Sequence, residues 1–163
     1  MQGTAAISED TGYQIEKSIR FDRNSSTDGS YMKMSSVPGG SRRAHTYSFW
    51  LKLGKPGVEQ YLLNGNSSSG RIKFESDGSL KWEVGSSQRR ISNQLFRDYG
   101  AFYNFVFVVD TNKPDAADRL RVYVNGNRIY SWATEDTITQ GLQVEHNHAS
   151  LKLGANNNSQ NTF

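Results

Sequence analysis

Arg119-Leu120-Arg121-Val122-Tyr123-Val124-Asn125-Gly126-Asn127-Arg128-Ile129-Tyr130-Ser131-Trp132 decides the fold class. Two runs rich in β-branched and aromatic residues flank an Asn-Gly step. That step supplies the positive backbone angles of a tight two-residue hairpin turn, so it predicts two antiparallel strands. Just upstream, Tyr103-Asn104-Phe105-Val106-Phe107-Val108-Val109-Asp110 is almost continuously apolar. It is far too short for a membrane span and reads as a buried central strand.

The same pattern continues towards the N-terminus. Arg71-Ile72-Lys73-Phe74-Glu75 and Leu80-Lys81-Trp82-Glu83-Val84 flank Asp77-Gly78, a second hairpin signal. Ile72, Phe74, Leu80, Trp82 and Val84 form its inner face. In Thr46-Tyr47-Ser48-Phe49-Trp50-Leu51-Lys52-Leu53, Tyr47, Phe49, Leu51 and Leu53 point one way, and Ser48, Trp50 and Lys52 the other. Shorter runs at 17–22, 31–34, 60–64 and 150–154 complete a set of about eleven strands. No long helix and no repeat of fixed period is present. The expectation is an all-β, antiparallel two-sheet sandwich.

The 163 residues suit one domain with its own core. Residues 1–16 read as an N-terminal arm and 17–163 as the sandwich. There is no cysteine, which excludes disulfides and thiolate metal sites. The formal charge is only +3, and the basic residues are spread in pairs such as Arg42-Arg43 and Arg89-Arg90. That spread argues against nucleic acid as a partner. No stretch approaches the length of a membrane helix, and residues 1–10 lack the apolar core of a secretory signal.

Three stretches carry a family resemblance: Tyr13-Gln14-Ile15-Glu16-Lys17-Ser18-Ile19-Arg20-Phe21, Leu95-Phe96-Arg97-Asp98 with Phe102-Tyr103-Asn104, and Asp118 through Gly126. Together they resemble a group of phage-encoded, laminin-G-like domains. The resemblance implies a concanavalin A-like jelly roll in a virion protein: a tail fibre, a head fibre or a decoration protein. It further implies a homo-oligomer in contact with other virion proteins and, in some cases, host-surface glycans. The arm, with Tyr13 and Ile15, would be the anchor for assembly. Phe102-Tyr103-Asn104 stands where similar domains usually carry Trp-Tyr-His. Only residues 157–163 follow the last strand, where similar domains place a closing strand that pairs with the first. The expectation is therefore either closing strands beyond residue 163 or a sheet completed by a neighbouring chain or the terminal arm.

Three chemistries compete for the site. Glycoside hydrolysis needs two facing carboxylates. Asp77 is displaced into a turn from Glu75, and Glu83 has no acidic neighbour in sequence, so an enzyme is not expected. Calcium would suit the loop carrying Asp110, Asp115 and Asp118. A solvated loop is the plainer reading, so no cofactor is expected and calcium is the alternative. His146-x-His148 offers two imidazoles without an evident third ligand. Glycan binding would use exposed rings, and the candidates are Trp50, Tyr99, Tyr130 and Trp132. For any one tryptophan, packing in the core or between chains is the plainer reading. The leading function is a non-enzymatic virion module. The alternative is a lectin-like carbohydrate-binding module of a host-recognition or secreted protein, and a glycan hydrolase ranks last.

Overall fold

A computed structural model describes residues 18–21, 30–35, 40–65, 70–85, 87–144 and 150–156. The strands are β1 (Met32–Met34), β2 (Ala44–Leu51), β3 (Gln60–Asn64), β4 (Arg71–Phe74), β5 (Ser79–Glu83), β6 (Arg89–Leu95), β7 (Tyr103–Asp110), β8 (Leu120–Val124), β9 (Asn127–Arg128), β10 (Trp132–Glu135) and β11 (Leu151–Leu153). A single 3-10 turn, Ala116–Asp118, is the only helical piece among the described residues. One sheet has the order β1-β11-β3-β4-β5-β6-β10 and the other β2-β7-β8-β9. Every pairing is antiparallel. This is the two-sheet, jelly-roll-like sandwich expected from the sequence.

Alternation places the core between the sheets. Phe105, Phe107, Val109, Leu120, Val122 and Val124 face inward from the smaller sheet. Leu63, Ile72, Phe74, Leu80, Trp82 and Val84 meet them from the larger one. Rings interlock across the gap, with Phe74 5.6 Å from Phe105 and Trp82 5.3 Å from Phe107, both edge to face. That geometry suits the ring quadrupoles and adds about 0.5–1.5 kcal/mol per pair beyond burial. The turn chemistry is also as read. Asn125 and Gly126 have φ of 49° and 81°, and Gly78 has 91°.

Three features depart from expectation. First, β6 is a strand that the sequence reading did not include, because its inward residues are polar and break the apolar alternation. Ser92 Oγ accepts from Leu80 N and donates to Gln94 O. Arg90 is buried and donates to the carbonyls of Leu120, Ala116 and Ala117. Second, the run 127–132 is not one strand. β9 stays beside β8, while β10 crosses to pair with β6 in the other sheet. Third, residues 18–21 form no strand. Phe21 instead lies against Gly154, whose φ of 81° and missing side chain make room for the ring. At one edge of the larger sheet β1 pairs with β11, and β11 pairs in turn with β3. The arm residues Tyr13 and Ile15 lie outside the described residues.

Candidate functional site

The outer face of the four-stranded sheet collects the exposed rings. The β2–β7 register sets Trp50 opposite Asn104, Ser48 opposite Val106 and Thr46 opposite Val108. β8 continues these rows with Tyr123 beside Val106 and Arg121 beside Val108, and Arg128 of β9 lies beside Tyr123. Trp50 is 54% exposed, and Phe102, two residues before Asn104, is 56% exposed. Trp50 and Phe102 are thus both exposed at the same end of the β2–β7 pair. Lys52 Nζ lies 6.0 Å from the Phe102 ring centroid at the same corner.

Amides flank this end. Asn125 Oδ1 accepts from Asn104 N, and Asn125 N donates to Asn104 O, which pins the β8–β9 turn against β7. At the opposite corner Tyr130 is 75% exposed, and the Arg128 guanidinium sits 4.9 Å from its ring. Arg128 also pairs with Asp118 at 2.9 Å. Trp50 and Tyr130, two of the four aromatic candidates, thus share one face.

The other two do not. Trp132 is half-buried, packs against the core and lies 5.3 Å from the Arg90 guanidinium. Tyr99 likewise packs against the core. Neither presents an open ring as Trp50 does, because both rings close gaps at the sandwich edge.

The aspartate loop is organised by arginines. Asp115 Oδ1 accepts from Ala117 N and caps the 3-10 turn, Asp118 pairs with Arg128, and Asp110 faces Lys113 at 3.8 Å. The backbone carbonyls that would complete a calcium shell already accept from guanidinium groups. Arg119 donates to Lys113 O, Pro114 O and Ile138 O. Arg90 and Arg128 both donate to Ala117 O. Asp110, Asp115 and Asp118 therefore serve three separate tasks. Among the described residues no three carboxylate or imidazole side chains converge. His146 and His148 lie outside the described residues.

The outer face of the seven-stranded sheet gathers carboxylates that the sequence keeps apart. Lys73 Nζ contacts Glu59 at 2.6 Å and Glu75 at 3.2 Å, and Lys81 Nζ contacts Glu75 at 3.3 Å and Glu83 at 3.4 Å. Arg71 closes the ladder on Glu83 at 2.8 Å. Glu83 thus has an acidic neighbour after all, bridged through Lys81. Burial alone would raise the Glu59 carboxyl. The hydrogen bonds from Lys73 and Tyr61, the contact with Glu75 and the Lys73 charge outweigh it and hold the group below the usual carboxylate range.

A model of the concanavalin A-like lectin/glucanases superfamily, Laminin_G_3, matches residues 25–163. The chain belongs to this family. No curated protein matched the sequence. Among solved structures, this concanavalin A-like domain resembles domain 4 of AbnA, a GH43 extracellular arabinanase from Geobacillus stearothermophilus, in complex with arabinotriose. The identity is 17% and the TM-score 0.51, over 83% of this chain and 62% of the other, so the likeness is one of fold. The chain therefore spans less than two thirds of that neighbour.

Sequence reasoning missed Phe102, Asn104, Asn125 and Arg121 in this concanavalin A-like domain. The signal was there for Phe102. It keeps the phase of Asn104 along the strand, opposite to the inward Tyr103 and Phe105, and so joins the face of Trp50 once the register is known.

Proposed function

We propose that this concanavalin A-like domain is a non-catalytic carbohydrate-binding module carried on a phage virion protein, a tail fibre, head fibre or decoration protein, where it meets host-surface glycan. The observation that carries the binding half is the pair Trp50 and Phe102, two exposed rings, one on β2 and one just before β7, at the end where Asn125 bonds the Asn104 backbone. Sugar C–H faces stack on such rings and amides bond the hydroxyls. The saccharide in the complex of the AbnA domain supports the same ligand class for this fold. The virion setting rests on the resemblance of Tyr13 to Phe21 and of the Phe96-Arg97-Asp98 segment to phage-encoded domains.

The charge ladder supports the non-catalytic part of this reading. Glycoside hydrolysis needs one carboxyl that holds a proton and one that does not. Lys73 contacts both Glu59 and Glu75, and its hydrogen bond and charge help hold Glu59 in its ionised form. No cofactor takes part in this reading.

A glycan array on the purified domain tests it. Trp50→Ala and Phe102→Ala should each lose binding while leaving the melting curve unchanged. Failure to bind any glycan would leave the module a purely structural part of the particle. One observation favours assembly as a second role. Met32 and Met34 are 46% and 48% exposed on β1, the edge strand of the larger sheet, which a second copy of the chain would cover. Native mass spectrometry should then report an oligomer that dissociates in Met32→Lys/Met34→Lys.

A further inference from the structure

The two outer faces of the sandwich handle charge differently. On the seven-stranded sheet every carboxylate of the ladder meets an ammonium or guanidinium group. On the four-stranded sheet Arg128 is paired with Asp118, but Arg121 and Lys52 are not paired. Arg121 makes no side-chain hydrogen bond or ion pair among the described residues, and its Nε is buried without a partner. Among the described residues Lys52 has no ion pair, and its Nζ lies 6.0 Å from the Phe102 ring centroid.

The rings and cations form two stations at opposite corners of one face. Trp50, Phe102 and Lys52 form the first, and Tyr130, Arg128 and Arg121 the second. From Trp50 to Arg121 the register steps four residues along the strands and two strands across. That is about 14 Å by about 10 Å. A monosaccharide cannot span this distance, but a chain of several sugar units can.

We infer that the ligand of this face is an extended anionic saccharide, a uronate- or sulfate-bearing chain that lays sugar faces on both stations and its acidic groups against Arg121 and Lys52. This rests on the carbohydrate reading above and names the class of sugar. Arginine suits the role because its planar fork matches carboxylate and sulfate oxygens in pairs.

The experiment is calorimetric titration with oligogalacturonates of increasing length, a sulfated oligosaccharide, neutral arabinan fragments of matched length, and single-stranded DNA. Acidic chains should bind, with affinity rising over the first several sugar units and falling as salt rises. Arg121→Gln should weaken acidic chains at least tenfold and abolish much of the salt dependence, while Arg121→Lys retains part of both. Melting curves of both variants check that the fold is intact. Equal affinity for neutral arabinan, or an Arg121→Gln variant that binds as before, overturns the inference. If neutral chains still bind and Trp50→Ala removes them, the carbohydrate reading stands while this one falls. Absence of binding to every glycan overturns both. Tighter binding of single-stranded DNA than of any acidic glycan also overturns the inference, since stacked bases and phosphates would then be the match.

Discussion

The guanidinium of Arg90 lies 5.3 Å from the ring centroid of Trp132, and the two residues come from β6 and β10, strands that pair at the edge of the larger sheet. Arg90 reaches from there across the sandwich to Leu120 O, at the start of β8 in the other sheet. One buried side chain thus ties both sheets, and Trp132 covers it from solvent. Burial disfavours the charged form of Arg90, and the nearby Glu135 carboxylate, at 3.0 Å, opposes that.

Trp132→Ala should therefore act on stability and Trp50→Ala on binding. Removing the Trp132 ring uncovers Arg90 and the core edge, at a cost of about 2–4 kcal/mol. Trp50→Ala should stay within about 0.5 kcal/mol of the parent. Urea unfolding of the two variants measures the contrast. Equal effects would mean that the two rings do not divide between core and surface as described.

Gly154→Ala should destabilise more than Gly126→Ala. Both residues have φ of 81°, so both variants carry the same backbone strain, about 1 kcal/mol. A Cβ at Gly126 meets open space, whereas one at Gly154 would lie 2.9 Å from the Phe21 ring. The excess loss at Gly154 reports the docking of Phe21. Phe21→Ala made together with Gly154→Ala should remove that excess.

His45 should make the fold acid-sensitive. Its Nδ1 lies 3.0 Å from Ser41 O and so donates to that carbonyl, while Nε2 is buried without a partner. Burial lowers the pKa below 6.5, and the Ser41 contact only partly opposes this. With the folded value below the unfolded one, the unfolded chain takes the proton first. Stability is then full above about pH 6.5 and falls as the pH drops below it. Melting temperatures from pH 8 to 5 should decline more gently for His45→Gln than for the parent. Parallel curves would exclude His45 as the source.

Chelation should change nothing. The oxygens of the 110–119 loop that calcium would need accept from arginines or from Ala117 N. EDTA should leave the melting temperature and glycan binding unaltered, and added calcium should not raise either. A rise with calcium would show that the loop can exchange its arginines for a metal.

The fold was legible wherever hydrophobic period and turn chemistry agreed. Asp77-Gly78 and Asn125-Gly126 set two hairpins, and the phase of Phe49, Phe105, Phe107 and Trp82 located the core. Legibility failed at β6, where Arg90 and Ser92 take inward positions that a period-2 reading reserves for apolar residues. It failed again at Tyr130 and Ser131, where a seemingly continuous run changes sheets. The site was half legible. Trp50 stood out by its phase, but its partners Phe102, Asn104 and Asn125 join it only through cross-strand register. The carboxylate ladder was invisible for the same reason, since Glu59, Glu75 and Glu83 meet through Lys73 and Lys81.

Arg90, Arg119 and Arg128 hold the 110–119 loop with cations that belong to the polypeptide. A bound metal must be captured from the medium and is lost when its free concentration falls far enough. A guanidinium attached to the chain cannot be diluted away. The shape of this loop, and with it the position of Arg128 beneath Tyr130, should be the same in calcium-poor and calcium-rich surroundings. The outer face of the four-stranded sheet would need no reloading on moving between the two.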